Sequence, residues 1–280
     1  MRSCLLGVFF SSALLLLFWP TLVWMAQRFE AHDSFYSHGW LIPVASGWLI
    51  WRSRVALAAT KRQGSLWGLL LLVPSVAVHV IATWWDLHFV SGFTMMAAVW
   101  ATVWTLWGFQ TLWVLRVGLL FLLFMVPLPS ILLISISFKL KLIAAMLATN
   151  LLTLLGMPAH QAGSTIHVPG ASVIVDDACS GLRSLISLVA LTSLWTCLVG
   201  PSFKRWHKAV LLASSIPIAL AANMTRILVL VFLTAIYGPK IAEGFIHYGS
   251  GLVVFGLALL ALVWLSQCMI KPEPASGMLS

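Results

Sequence analysis

Apolar residues run along this chain in long blocks separated by short polar breaks, and most blocks approach the length of a bilayer crossing. Runs near 4–25, 38–51, 66–84, 91–107 and 112–128, and again near 178–199, 209–237 and 246–268, each read as a span at ~20 residues per helix. They predict about eight transmembrane helices. The stretch 129–156 is also apolar, but Lys139 and Lys141 stand in its middle. A central lysine costs ~2.5–3.5 kcal/mol on insertion scales, so this stretch is expected as a re-entrant or interfacial helix on the outer side. Between 157 and 177 the pattern changes to alternation: Thr165-Ile166-His167-Val168 and Ser172-Val173-Ile174-Val175 flank Pro169-Gly170, as two short strands around a tight turn would. The following helix is expected to begin at Asp177 or Ala178, with Asp176 and Asp177 as its N-cap and dipole partners. The fold class is therefore an all-α polytopic membrane protein with a short external β-hairpin. Residues 1–280 form one membrane-embedded domain, in which 157–177 is an external loop leading into the next helix.

Composition removes the soluble alternatives. Of the 280 residues 61% are hydrophobic and 8% charged, whereas a soluble domain carries about 25% charged residues to wet its surface. The net charge of +9 does not indicate nucleic acid, because the sixteen Lys and Arg are scattered between apolar segments. They act better as topology signals. Arg52, Arg54, Lys61 and Arg62 crowd one loop and Lys204, Arg205 and Lys208 another, which places both loops in the cytoplasm. Counting outward puts both termini inside, in agreement with Arg2 and Lys271. The first segment, Cys4 to Met25, resembles a signal peptide but is long and lacks a small-x-small cleavage site, so it is expected as a retained first span.

Three polar features remain once the spans are removed: Asp176-Asp177-Ala178-Cys179-Ser180-Gly181-Leu182-Arg183-Ser184, Asn223-Met224-Thr225-Arg226, and His247 with Tyr248-Gly249-Ser250-Gly251. The expected topology brings each towards the outer face. Cys179 falls in the first turn of its helix, where the N-terminus and a nearby cation lower a thiol pKa, while Asp176 and Asp177 push the other way and the sequence does not decide between them. Arg183, four residues on, would share its face. Histidine moves protons near neutral pH. Arginine stays charged and suits an acyl-transfer oxyanion. An arginine inside a span must face a cavity or a partner, which makes Arg226 a functional candidate. The other cysteines, Cys4, Cys197 and Cys268, are expected as small apolar residues, with no paired spacing for a disulfide or zinc site.

At these residues the sequence resembles the exosortase/archaeosortase family of membrane transpeptidases. The family's A-C-S-G-[LI]-R block matches Ala178 to Arg183, A-N-x-x-R-I matches Ala222 to Ile227, and H-x-x-x-G matches His247 to Gly251. Lesser resemblances lie at Tyr36-Ser37-His38-Gly39 through Pro43 and at Pro127-Leu128-Pro129. The resemblance implies a cysteine peptidase and transpeptidase that cleaves a C-terminal sorting tail of exported proteins. Such a tail has a short motif such as Pro-Glu-Pro, a hydrophobic span and a basic cluster. Cys179 would be the nucleophile, Arg226 would steady oxyanion or thiolate, and His247 would handle the proton. Arg183, Asn223 and Ser180 would bind substrate or support the site. No cofactor and no metal are implied. The implied partners are the tailed substrate, the lipid bilayer and an acceptor nucleophile that the sequence does not name, with no nucleic acid. The implied location is the inner membrane, with the active site at its outer face.

Two readings compete. A transporter could use Arg226 and Asn223 to line a substrate path, but it predicts paired broken helices in two similar halves, and no such repeat is found. A metal site could draw on His32, His38, His88, His160, His167 and His247, yet none shows HExxH or close ligand spacing.

Overall fold

The computed structural model describes residues 2–31, 34–177, 179–199, 203–238 and 245–269, with side chains from residue 7 and, in the last helix, from residue 249. His32, Ala178 and the side chains of Cys4 and His247 lie outside the described residues. The chain divides into two compact units, Met1–Ser130 and Ile131–Ser280.

In the first unit the helices are α1 (Arg2–Leu17), α2 (Trp19–Glu30), α3 (Leu41–Arg52), α4 (Arg54–Ala58), α5 (Leu69–Trp84) and α6 (His88–Phe121). The expected first span is bent by 63° between α1 and α2. Pro20, near the start of α2, has no N–H to continue the ladder. The carbonyl of Leu17, at the end of α1, is met by His79 Nε2 at 3.1 Å, and His79 Nδ1 meets Ser91 Oγ at 2.7 Å. Ser91 also bonds Thr21, so one buried polar chain ties the bend to α5 and α6. The expected spans 91–107 and 112–128 fall largely within α6 and the short turn that follows it. They part at Gly108, whose φ of 87° and ψ of 169° are non-helical. A Cβ there would lie 2.1 Å from the carbonyl oxygen of Gln63, so only glycine fits this break.

In the second unit α7 (Ser130–Leu154) leads into β1 (His160–Ala162), β2 (Thr165–Val168) and β3 (Ala171–Ile174), followed by α8 (Leu182–Leu198), α9 (Arg205–Tyr237) and α10 (Phe245–Met269). The expected hairpin forms as β2 and β3, turning at Gly170 with φ 79°. The structure adds β1, antiparallel to β2. Its three residues are too few to show an alternation in sequence. Ile166, Val168 and Val173 share the inner face of this sheet and are buried against Ala144, Ala145, Ala148 and Leu152 of α7 and Ile227, Leu230 and Val231 of α9. Alanines on α7 let backbones approach closely, as small residues do between membrane helices.

Every expected span corresponds to helix. Among the described residues five helices are long and apolar enough to cross a membrane, six if the bent α1–α2 pair counts as one. By themselves, the 12 residues of α3 and the 17 of α8 fall short of the ~20 that a crossing needs. The 129–156 stretch forms one unbroken helix of 25 residues, α7, which meets the same length and composition test. Its Lys141 is paired with Asp177 at 3.0 Å.

Candidate functional site

Beyond β3 the chain remains tied to the sheet, because Val175 N–H donates to Ser164 O at 2.9 Å. Asp176 and Asp177 follow, and the chain then turns through Cys179, Ser180 and Gly181 before α8 starts at Leu182. This corrects the expected helix start at Asp177 or Ala178. Gly181 has φ 78° and ψ −5°, a left-handed conformation that cannot continue a right-handed helix. Cys179 therefore lies on a turn, and the argument that Arg183 shares a helix face with it does not hold.

The turn is closed by its own side chains. The Cys179 N–H donates to Asp176 O at 3.1 Å and to Asp176 Oδ1 at 2.9 Å. Ser180 Oγ donates to Asp177 O at 2.8 Å and accepts from the Leu182 N–H at 3.3 Å. Asp176 is thus an Asx-type partner of the turn, placed outside the helix it was expected to cap.

From α9, Asn223 Nδ2 donates to the Cys179 carbonyl oxygen at 2.8 Å. Three residues further along the same helix stands Arg226, only 7% exposed. Its Nε donates to Ser250 Oγ of α10 at 3.4 Å, and Gly251 borders the guanidinium, where an added Cβ would lie 3.6 Å from Cζ. Ser184, Asn223, Arg226 and Gly251 line one small cavity. The three polar blocks of the sequence are therefore brought together through Asn223, Arg226 and Ser250. His247 lies in the first turn of α10, two residues before the described side chains begin. Arg183 sits in the first turn of α8, with Nε buried and without a hydrogen-bond partner among the described residues.

Cys179 is 3% exposed and belongs to the cluster formed by α7, the sheet and α9. Burial pushes its thiol up to about 12, the positive charge of Arg226 opposes this, and the charge and hydrogen bond of the Asp176 carboxylate add to it. The resting group is a protonated thiol. Asp177 behaves oppositely: the hydrogen bond from Lys141 holds its carboxyl below the usual range, assisted by Ser137 Oγ, which donates to Oδ1 at 2.9 Å.

An apolar groove of about 520 Å³ opens beside the turn. Leu140, Leu147 and Leu151 of α7 and Leu220 of α9 line it, and Ser180, Asn223 and Asn150 supply its polar groups. Elsewhere, the two lesser motif segments meet within the first unit, where the Leu128 N–H donates to Tyr36 Oη at 3.2 Å. Among the described residues no three His, Cys, Asp or Glu side chains gather as a metal-binding set.

Sequence reasoning missed the part of four residues. Asp176 and Asp177 were read as caps, and Ser250 was passed over as part of a glycine-rich block. The signal for Lys141 was its cost inside an apolar segment, which asks for a partner that only the fold could name.

The family model described as transmembrane exosortase matches residues 24–264. Comparison with curated proteins and with solved structures found no match.

Proposed function

The chain belongs to the transmembrane exosortase family, and on that premise we propose that it is a membrane cysteine transpeptidase with Cys179 as nucleophile, Arg226 as electrostatic partner and His247 as proton carrier. The observation that carries this reading is the Cys179 turn, which Asn223 fixes by its carbonyl while Arg226, on the same helix, acts on the thiol.

In the proposed reaction His247 takes the Cys179 proton as the sulfur attacks the scissile carbonyl carbon of a C-terminal sorting tail. Arg226, which cannot give up its proton, stabilises the oxyanion. The tetrahedral intermediate collapses, the C–N bond breaks, and His247 returns the proton to the leaving amine. The exported protein is left as a thioester on Cys179. An acceptor nucleophile then attacks that thioester and frees the thiol. A thiol held near 12 at rest suits a site that becomes nucleophilic only when substrate completes it. The apolar span of the tail would lie along the groove between α7 and α9, which Ser180 and Asn223 help to line. Asn223 and Ser180 are supporting groups in this scheme, with Arg183, whose buried Nε has no partner among the described residues, beside them.

The basic loops at Arg52–Arg62 and Lys204–Lys208 support a multi-pass inner-membrane protein with cytoplasmic termini and the Cys179 turn at the outer face. The test is co-expression with an exported protein carrying a C-terminal sorting tail, read as a mass shift. Wild type and Cys197→Ser should process it and Cys179→Ser should not. Processing by Cys179→Ser would remove the nucleophile assignment.

A further inference from the structure

Asp177 is held from two directions. Its carboxylate Oδ1 receives Lys141 Nζ at 3.0 Å and Ser137 Oγ at 2.9 Å, both from α7. Its backbone carbonyl receives the N–H of Ser180 at 3.3 Å and Ser180 Oγ at 2.8 Å. Ser137 and Lys141 are four residues apart and share one helix face, whereas Lys139 is exposed on another. A displacement of α7 is thus transmitted through one carboxylate to the residue that follows Cys179.

We propose that Lys141 is a positioning residue for the Cys179 nucleophile, acting through Asp177 to hold the turn against α7 while Asn223 holds it against α9. The inference rests on the nucleophile reading above. Within the turn Asp176 holds the Cys179 N–H, and from α9 Asn223 holds its carbonyl; the contact from α7 adds the tie on the remaining side, through Asp177. It also gives a lysine in an apolar helix a reason beyond charge balance.

The experiment uses the full-length protein in membranes, with Cys4→Ser and Cys197→Ser so that Cys179 and Cys268 are the remaining thiols. Alkylation by a small iodoacetamide is followed at both sites by mass, and processing of the tailed substrate is followed in parallel. Cys268 is exposed and serves as the internal control for reagent and protein amount. Lys141→Met should change the Cys179 rate at least ~3-fold relative to Cys268 and lower processing at least ~10-fold, since small misplacements of a reacting group carry penalties of that order. Lys141→Arg should restore both, and Lys139→Met should change neither. An unchanged Cys179 to Cys268 ratio in Lys141→Met, an equal change in Lys139→Met, or no recovery with Lys141→Arg would each overturn the inference. Failure of the parent reading has a separate signature, processing that survives Cys179→Ser, while the alkylation arm still reports the geometry of the turn.

Discussion

The side-chain amide of Asn223 donates to the main-chain carbonyl of Cys179 at 2.8 Å, in a buried contact between α9 and the turn before α8. It holds, from the α9 side, the backbone that carries the sulfur. It also sets the distance along α9 to Arg226, so one helix face both anchors the turn and supplies its positive charge.

Asn223→Ala should therefore impair processing without abolishing expression. The Cys179 carbonyl would lose its partner in a buried setting, a cost of about 1–3 kcal/mol, and processing is expected to fall about tenfold or more. Asn223→Asp keeps the size but loses the donor, and it should fail as well. Mass-shift assays at matched protein levels read the outcome, and full activity in both variants would deprive the contact of its role.

Gly181→Ala should be more damaging than its size suggests. The left-handed φ of 78° costs a side chain ~1–2 kcal/mol. The new Cβ would also lie 2.8 Å from Cγ of Asn223. Relief of that overlap must move the turn or Asn223, and either movement strains the contact described above. Near-normal processing by Gly181→Ala would show that the turn tolerates such a shift.

The pH dependence of Cys179 modification carries a definite sign. With its pKa pushed up to about 12, the thiolate fraction should rise ~10-fold per pH unit from pH 7 through 10, whereas an ordinary thiol near 8.5 levels off. Asp176→Asn removes a negative charge that raises the thiol pKa but retains an oxygen acceptor for the Cys179 N–H. It should speed alkylation at pH 8. Arg226→Gln removes the opposing positive charge and should slow it. A plateau near pH 9 in wild type, or the reverse order of the two variants, would contradict the electrostatic account.

Arg226→Lys keeps the charge and loses the planar fork that reaches Ser250. Processing should drop at least ~10-fold, because an ammonium group cannot reproduce guanidinium geometry at an oxyanion. Normal processing would mean that the charge alone is used.

Hydropathy places the helices, since each apolar block in the sequence is largely helical, and the motif blocks single out Cys179, Asn223 and Arg226. What hydropathy missed has physical causes. The sequence gives no sign that Gly181 adopts a left-handed conformation, and this single residue moves the start of α8 past Cys179. Strand β1 is too short for a periodic signal. Lys141 was visible as an anomaly, but its partner Asp177 is distant in sequence and is brought near by the packing of α7 on the sheet. Asp176 looked like a cap because Asp is common at both helix starts and Asx turns, and only the φ of Gly181 distinguishes the two cases.

Burial of Cys179 has a consequence for survival as well as reactivity. Peroxide and disulfide partners attack the thiolate and need access to it, so a sulfur that is 3% exposed and held protonated is a poor target for both. If Cys179 is the proposed nucleophile, a sulfur kept in this state would pass long intervals between turnovers without being oxidised, while Cys268, exposed near the end of α10, would take the first damage.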